Sequence, residues 1–333
     1  MRMAKYSLLV LIMMTGCAQK VSIKALEPAD VGEMASKKKV SITEFKSDRV
    51  GLSSKIEAGI AKHRLDGQRY FTVLSRTDLD KVMHEQKLQS SSLMDERTAT
   101  KVGQLIGAQA LINGDVISSA KEDSYREARE KCLKYDKDSS ECVQYKHYTV
   151  TCSTTQAVLS ASINIVDIEN GRLVYADTSS KTYNGDSCKD GTNKSKEQAL
   201  QILSDQIANE FVYKLTPHYV TFQVELLDSI EFEVTDTQQL TFENALEFVK
   251  AGRVDKAEKM MSLINDELNG QSYVVAYDLG VIKEASSEFD DAKKLYAMAD
   301  ALTQTPVDEI NAAVVRIDTL IVKRDKARAQ MNR

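Results

Sequence analysis

Val73-Leu74-Ser75-Arg76-Thr77-Asp78-Leu79-Asp80-Lys81-Val82-Met83-His84-Glu85-Gln86 changes its hydrophobic period partway along. The residues leading into it, Arg69 to Leu74, are aromatic, β-branched and alternating, which is the pattern of a strand. Ser75-Arg76-Thr77-Asp78 then supplies capping side chains, and Leu79, Val82 and Met83 recur at i, i+3 and i+4, which is the pattern of a helix. A strand running straight into a helix is half of an α/β unit, and the flanking sequence repeats the move.

Upstream, Lys39–Phe45 alternates as a strand and Leu52–His63 reads as a helix, with Ile56, Gly59 and Ile60 on one face and Ser53-Ser54 as cap candidates. Downstream, Asp95 opens a helix to Ile106 with Ala99, Val102, Leu105 and Ile106 inward, and Gly107 is its natural stop. Ala110–Ile117 is a third strand. His147–Ile168 and Arg172–Tyr183 form a long antiparallel pair around the turn dipeptide Asn170-Gly171. Ser195–Leu215 is a helix with Ala199, Ile202, Leu203, Ile207, Phe211 and Leu215 in one stripe. This order predicts an α/β (α+β) sandwich over residues 38–217, with helices covering a small mixed sheet. Ser119–Lys146 stands apart because half of its residues are charged.

The texture changes near residue 218. Tyr219–Val234 alternates around Asp228-Ser229 and predicts a hairpin connector over 218–236. Residues 237–333 are helical in pattern and contain a 35-residue offset between Ala257 and Ala292. Ala245, Gly252 and Ala257 in one copy, and Leu279, Gly280, Ala292, Tyr296 and Ala299 in the other, fall at tetratricopeptide spacing, although Lys283 takes the usual aromatic position. An all-α tetratricopeptide-like domain, with a last helix over about 307–326, is the expectation.

The amino terminus gives the compartment. Arg2 and Lys5 precede the apolar run Leu8–Met14, which is too short to span a bilayer and reads as a signal peptide over residues 1–16. Met13-Met14-Thr15-Gly16-Cys17 resembles a bacterial lipobox, and that resemblance makes Cys17 the lipidated residue. Ala18 after it favours the outer membrane. Residues 17–37 read as a polar tether, with a reach of ~25 Å if coil-like. The four later cysteines, Cys132, Cys142, Cys152 and Cys188, lie 10, 10 and 36 residues apart, so no metal-type CxxC pair exists. In an oxidising compartment they predict two disulfides. Positions facing each other across the Asn170-Gly171 turn sum to about 341, and Cys152 with Cys188 sums to 340, which favours Cys152–Cys188 and Cys132–Cys142.

The net charge of −5 and the absence of a long basic run argue against nucleic-acid binding. The four histidines (His63, His84, His147, His218) form no catalytic pattern, because Met83-His84-Glu85-Gln86 lacks the second histidine of a zinc-protease helix. No metal site, cofactor or enzymatic activity is expected.

The Val73–Gln86 run resembles the strand-to-helix signature of the curli secretion-channel lipoprotein (CsgG) family, carried by Arg76, Leu79, Val82, Glu85 and Gln86. Thr98-Ala99-Thr100-Lys101-Val102-Gly103, then Gly107-Ala108 and Gly114, resemble that family's next block. Ile165-Val166-Asp167-Ile168-Glu169-Asn170-Gly171 resembles its hairpin, and with the lipobox the likeness spans about residues 17–215. The family resemblance implies a ring whose subunits each give two hairpins to a transmembrane barrel. The regions that would supply them are densely charged, and a lipid-facing Lys or Arg costs ~2–4 kcal/mol at the midplane. The expectation is therefore shorter, polar, cross-linked hairpins. The protein would be an outer-membrane-anchored periplasmic lipoprotein serving as a non-enzymatic scaffold, meeting the membrane through its lipid, other envelope proteins and copies of itself. A secretion-channel subunit and an LpoB-like activator of a peptidoglycan synthase are the alternatives.

Overall fold

The computed structural model describes residues 19–85, 96–137 and 139–332. Cys17, the signal segment, Gln86 and the Asp95 helix start lie outside the described residues. The chain divides into an α/β unit, Pro28–His218 with Ala329–Arg333, and a second unit made of the residues before Pro28 with Tyr219–Arg328.

β1 (Lys20–Glu27) occupies most of the first half of the expected tether, and it belongs to the second unit. Its Val21, Ile23 and Ala25 alternate into the core there. The sequence carried this period of two, and the strand forms because those three side chains have a core to enter.

In the α/β unit, β2 (Lys39–Ile42) leads to α1 (Leu52–Lys62), a short hairpin β3 (Arg64–Leu65) and β4 (Gln68–Arg69), and then β5 (Thr72–Val73). α2 (Arg76–Glu85) and α3 (Glu96–Ile106) follow, then β6 (Ala110–Tyr135), β7 (Cys142–Asp167), β8 (Leu173–Asp186) and α4 (Lys196–Leu215). The five-stranded sheet runs β5-β2-β6-β7-β8; β5, β2 and β6 are parallel and the remaining pairs antiparallel. The α1 cap differs from expectation: the Asp48 carboxylate accepts both Leu52 N–H and Ser53 N–H at 2.8 Å.

Alternation along the strands sends side chains to two faces. Leu111 and Val166 pack with Leu79 of α2 and Val102 of α3. Ile163 and Tyr175 face α4, where Tyr175 and Phe211 rings sit 5.7 Å apart. The α4 stripe is buried at Ala199, Leu203, Ile207, Phe211 and Leu215, whereas Leu105 of α3, expected inward, is 56% exposed. Val102 and Ile106, four residues apart, face that core, and Leu105 lies about 100° around the helix from Ile106, toward solvent. α4 starts with a capping box between Ser195 and Gln198.

The second unit adds β9 (His218–Glu225), α5 (Asp236–Lys250), α6 (Val254–Glu267), α7 (Tyr273–Ala285), α8 (Phe289–Leu302) and α9 (Asp308–Met331), whose residues from Ala329 on belong to the α/β unit. The expected hairpin over 219–234 does not form. β9 is a single strand, and its partner is β1. The two helix pairs match at an offset of 35: α6 begins at Val254 and α8 at Phe289. Ala245 and Gly280, Ala257 and Ala292, and Met261 and Tyr296 hold corresponding places. Gly280 has no room for a side chain, since a Cβ there would stand 2.6 Å from the Tyr296 ring. At the unit's centre Glu284 is fully buried and takes Arg316 Nε and Nη2 at 2.9 and 2.8 Å, with the Tyr296 hydroxyl donating as well. Burial opposes the Arg316 charge, but the bonds and attraction of Glu284 outweigh it and raise its pKa.

Candidate functional site

The most unusual part of the α/β unit is β6 with β7. Each strand has 26 residues, far beyond the usual strand length, so Ser119–Lys146 supplies most of β6 and the start of β7 in a long hairpin, where a shorter one was expected. β6 continues to Tyr135, where the sequence pattern had ended the strand at Ile117. The register keeps opposed positions at a constant sum from Ala110↔Asp167 to Cys132↔Tyr145 and slips only at a bulge near Lys134. β8 accompanies β7 only as far as Thr154↔Asp186. Beyond that point about 40 Å of two-stranded ribbon projects without a third strand.

A two-stranded hairpin is marginal in water, so the ribbon needs braces. It has a disulfide at each end. Cys132–Cys142 closes the tip with Cα atoms 5.8 Å apart, and Cys152–Cys188 ties the root to the end of β8 at 5.4 Å. The Tyr125 hydroxyl donates to both Asp186 carboxylate oxygens (3.0 and 2.9 Å), and Arg129 Nη2 donates to the Cys188 carbonyl at 3.0 Å. Burial disfavours the Asp186 charge, but the Cys188 N–H and Tyr125 bonds outweigh it and hold its carboxyl below the ordinary range. Glu127 comes close to both root sulfurs, yet those sulfurs are bonded to each other and are not free thiolate ligands.

The two ribbon faces are both solvated and both charged. Glu127 and Arg129, paired at 2.9 Å, share one face with Tyr125, Tyr148 and Val150. Glu130 and His147, also paired at 2.9 Å, share the other with Arg126 and Thr149. At the tip the character changes: Leu133, Tyr135, Val143 and Tyr145 are each more than half exposed. Nearer the sheet, the face opposite α4 is a hydroxyl surface, on which Ser160 meets Ser180 at 2.8 Å and Ser162 meets Thr178 at 3.0 Å. α4 clamps the other face of β8 through Lys214–Asp177 at 2.7 Å and through Lys181–Glu210. The Lys214 and Tyr175 bonds hold the Asp177 carboxyl below its ordinary range.

The remaining sequence-marked residues mostly build this frame. Arg76 Nη2 pairs with Glu57 at 2.7 Å, Leu79 is buried, Ala108 is nearly so, and Glu85 is exposed. A Cβ on Gly103 would strike Ile168, and one on Gly114 would stand 2.6 Å from the Ser162 carbonyl, so both glycines mark close backbone approach. Gly107 and Gly171 take φ of +73° and +69°. Asp167 sets the β7–β8 turn by accepting Glu169 N–H and Asn170 Nδ2 at 2.9 Å, and Lys37 stands 3.1 Å away. Burial works against the Lys37 charge, but its bonds to Glu169 and Asp167 outweigh that and raise its pKa. Leu279 is nearly buried, Ala245, Ala257, Ala292, Tyr296 and Ala299 are fully buried, and Gly252 closes the α5–α6 turn at φ +73°. The tip cluster was not foreseen; its signal is the run of large apolar residues next to the disulfide inside an otherwise charged segment.

The α/β unit is thus a mixed sheet with helices on both faces, extended by a long disulfide-braced arm. The family model for the curli production assembly/transport component CsgG matches residues 35–261, and the chain belongs to that family. The match starts later than the lipobox and reaches into α6, farther than the 17–215 expected from motifs. The family is one of assembly and transport components of the cell envelope. Among solved structures, lipoprotein GNA1162 of Neisseria meningitidis matches at 13% identity over 52% of this chain and 96% of its own, with a TM-score of 0.28. A PelC variant dodecamer from Paraburkholderia phytofirmans matches at 12% identity over 58% and 99%, with a TM-score of 0.26. No curated protein matches. Among the described residues, no helix is long and apolar enough to cross a membrane.

Proposed function

We propose that this chain is a lipid-anchored, periplasm-facing scaffold of an envelope secretion or assembly complex, and that its arm is the docking element. The observation that carries the reading is the arm itself: a rigid ribbon with charge on both faces and an apolar, tyrosine-bearing tip. Tyrosine and leucine at such density, outside any core, are what contact surfaces use.

The channel reading has one observation in its favour. β6, β7 and β8 are all longer than the ~9–11 residues a membrane strand needs. Two features weigh against it. A lipid-facing strand surface is apolar, and here Arg126 and Glu130 occupy one face while Glu127, Arg129 and Lys131 occupy the other. The sheet also offers three long strands where two hairpins would need four, because β8 leads through a loop to α4 and not to a return strand. β6 and β8 run the same way, so neighbouring copies would meet through parallel strands, unlike the even, antiparallel barrels of outer membranes. The peptidoglycan-synthase activator reading needs a long tether from Cys17, and β1 begins at Lys20, three residues on.

The test places a photo-crosslinking residue at Tyr145 in cells carrying the lipidated protein, with a second one at the exposed Glu85 as control. Crosslinks to other envelope components from the tip alone support the proposal. Stepwise ion conductance of the purified protein in planar bilayers would sink it, and tip crosslinks confined to peptidoglycan synthases would replace it with the activator reading.

A further inference from the structure

A second site lies in the α/β unit, well separated in sequence from the arm. A cavity of about 320 Å³ opens between Lys38, the β3–β4 hairpin and β5, lined by Leu65, Gln68, Arg69, Tyr70, Thr72 and Met331. That size is within the range of small-ligand pockets. Among the described residues its wall holds two cations, Lys38 and Arg69, and no carboxylate. The contrast with the neighbouring lysine is informative: Lys37 is neutralised by Asp167 and Glu169, whereas the Lys38 ammonium rests 3.7 Å over the Tyr70 ring. A ring face stabilises a cation without neutralising it, so the positive charge is retained.

The floor is preorganised. The Tyr70 hydroxyl donates to the Gln330 carbonyl at 3.3 Å, and the Gln330 side chain holds both polar backbone groups of Ala29 at 2.8 and 3.0 Å. Tyr70, Leu65 and Gln330 are buried, so the ring under Lys38 does not have to be ordered on binding. Burial also lowers the Lys38 pKa, and a bound anion would reverse that cost.

We propose that this cavity captures the C-terminal carboxylate of a peptide whose last side chain is apolar. Arg69 supplies the fork that matches a carboxylate, Lys38 adds a point charge, and Leu65 with Met331 offers the apolar wall. The volume exceeds what a bare inorganic anion fills, leaving room for the side chain. β5 is the edge strand of its sheet, so an incoming peptide backbone would run beside unpaired strand edge.

The experiment uses the full mature chain and a fluorescein-labelled pentapeptide ending in Val-Leu, as the free acid and as the C-terminal amide, read by anisotropy. The acid is expected to bind about tenfold or more tightly than the amide, as losing one charge-assisted contact implies. Lys38→Gln and Arg69→Gln should each weaken the acid by about tenfold and leave the amide unchanged. Arg69 is exposed, so its variant keeps the test valid if Lys38→Gln lowers the melting temperature. Equal binding of acid and amide, or indifference to both substitutions, overturns the proposal. Full displacement of the acid by millimolar inorganic phosphate, or by phosphatidylglycerol vesicles, also overturns it in favour of a simple anion or lipid site. Neither result bears on the arm.

Discussion

Replacing Arg316 by methionine should remove the centre of the helical unit's stability while leaving its packing volume nearly intact. In the native chain the fully buried Glu284 carboxylate has the two Arg316 donors at 2.9 and 2.8 Å and the Tyr296 hydroxyl. Arg316→Met leaves that carboxylate buried with a single neutral donor, which costs about 3–5 kcal/mol. The lost cation–π contacts to Phe222 and Tyr296, near 6 Å, add at most about 1 kcal/mol. Glu284→Gln leaves an arginine that is 22% exposed and can turn to water, so its cost is about 1–3 kcal/mol. In the double variant both charges are gone, and its loss should fall well below the sum of the two singles. The chain has no tryptophan, so the assay is native-state hydrogen exchange of peptides from α7 and α8, read as opening free energies. Additivity of the two substitutions to within about 0.5 kcal/mol would refute the account of Glu284 and Arg316 as one coupled unit.

Asp278 of α7 is fully buried, with Oδ1 accepting Leu227 N–H at 3.0 Å and Oδ2 unpartnered. Burial raises its pKa well above 3.8, so its favourable contribution is complete below 3.8 and is lost as the pH rises through the folded value. Urea unfolding should show the native chain weakening across that rise, and Asp278→Asn should flatten it; an unchanged slope would count against the assignment. Gly280→Ala brings a Cβ to 2.6 Å from the Tyr296 ring, and an overpacking cost of about 1–3 kcal/mol should exceed the roughly 1 kcal/mol of helix propensity gained. Ser287, at φ +65° in the turn where the first helix pair has Gly252, should behave oppositely: Ser287→Gly should stabilise by about 1 kcal/mol in thermal melts. Opening Cys152–Cys188 by paired serines should cost about 4 kcal/mol, against about 3 for Cys132–Cys142, because the closed loop is longer, and proteolysis should then cut the ribbon at its root first.

How much of this was legible in the sequence depended on where each segment's partner lay. The α4 stripe, the Asn170-Gly171 turn and the strand–helix switch at Ser75 have local signals, so their periods and caps sufficed. β1 and β9 were misread because each finds its partner at the other end of the chain. The alternation of Val21, Ile23 and Ala25 is present, but so close behind the lipobox-like stretch ending at Cys17 it reads as a linker. The arm was hidden for a different reason. A ribbon solvated on both faces has no buried side, so Arg126 to Lys131 shows no alternation at all, and only pairing with β7 makes it a strand. The cationic cavity joins Lys38, the β3–β4 hairpin and Met331, a juxtaposition that only the tertiary fold makes.

The β1–β9 pairing also sets an order of events in time. During synthesis Lys20 emerges nearly two hundred residues ahead of His218, where its partner strand begins. Contacts of such long sequence separation form late, while α1 to α4 already have the neighbours they need. β1 must therefore wait as an open strand edge, a state prone to wrong pairings, until β9 and its helices have emerged. Closure of the helical unit becomes the final step of maturation, and a chaperone that shields Lys20–Glu27 would act in that interval.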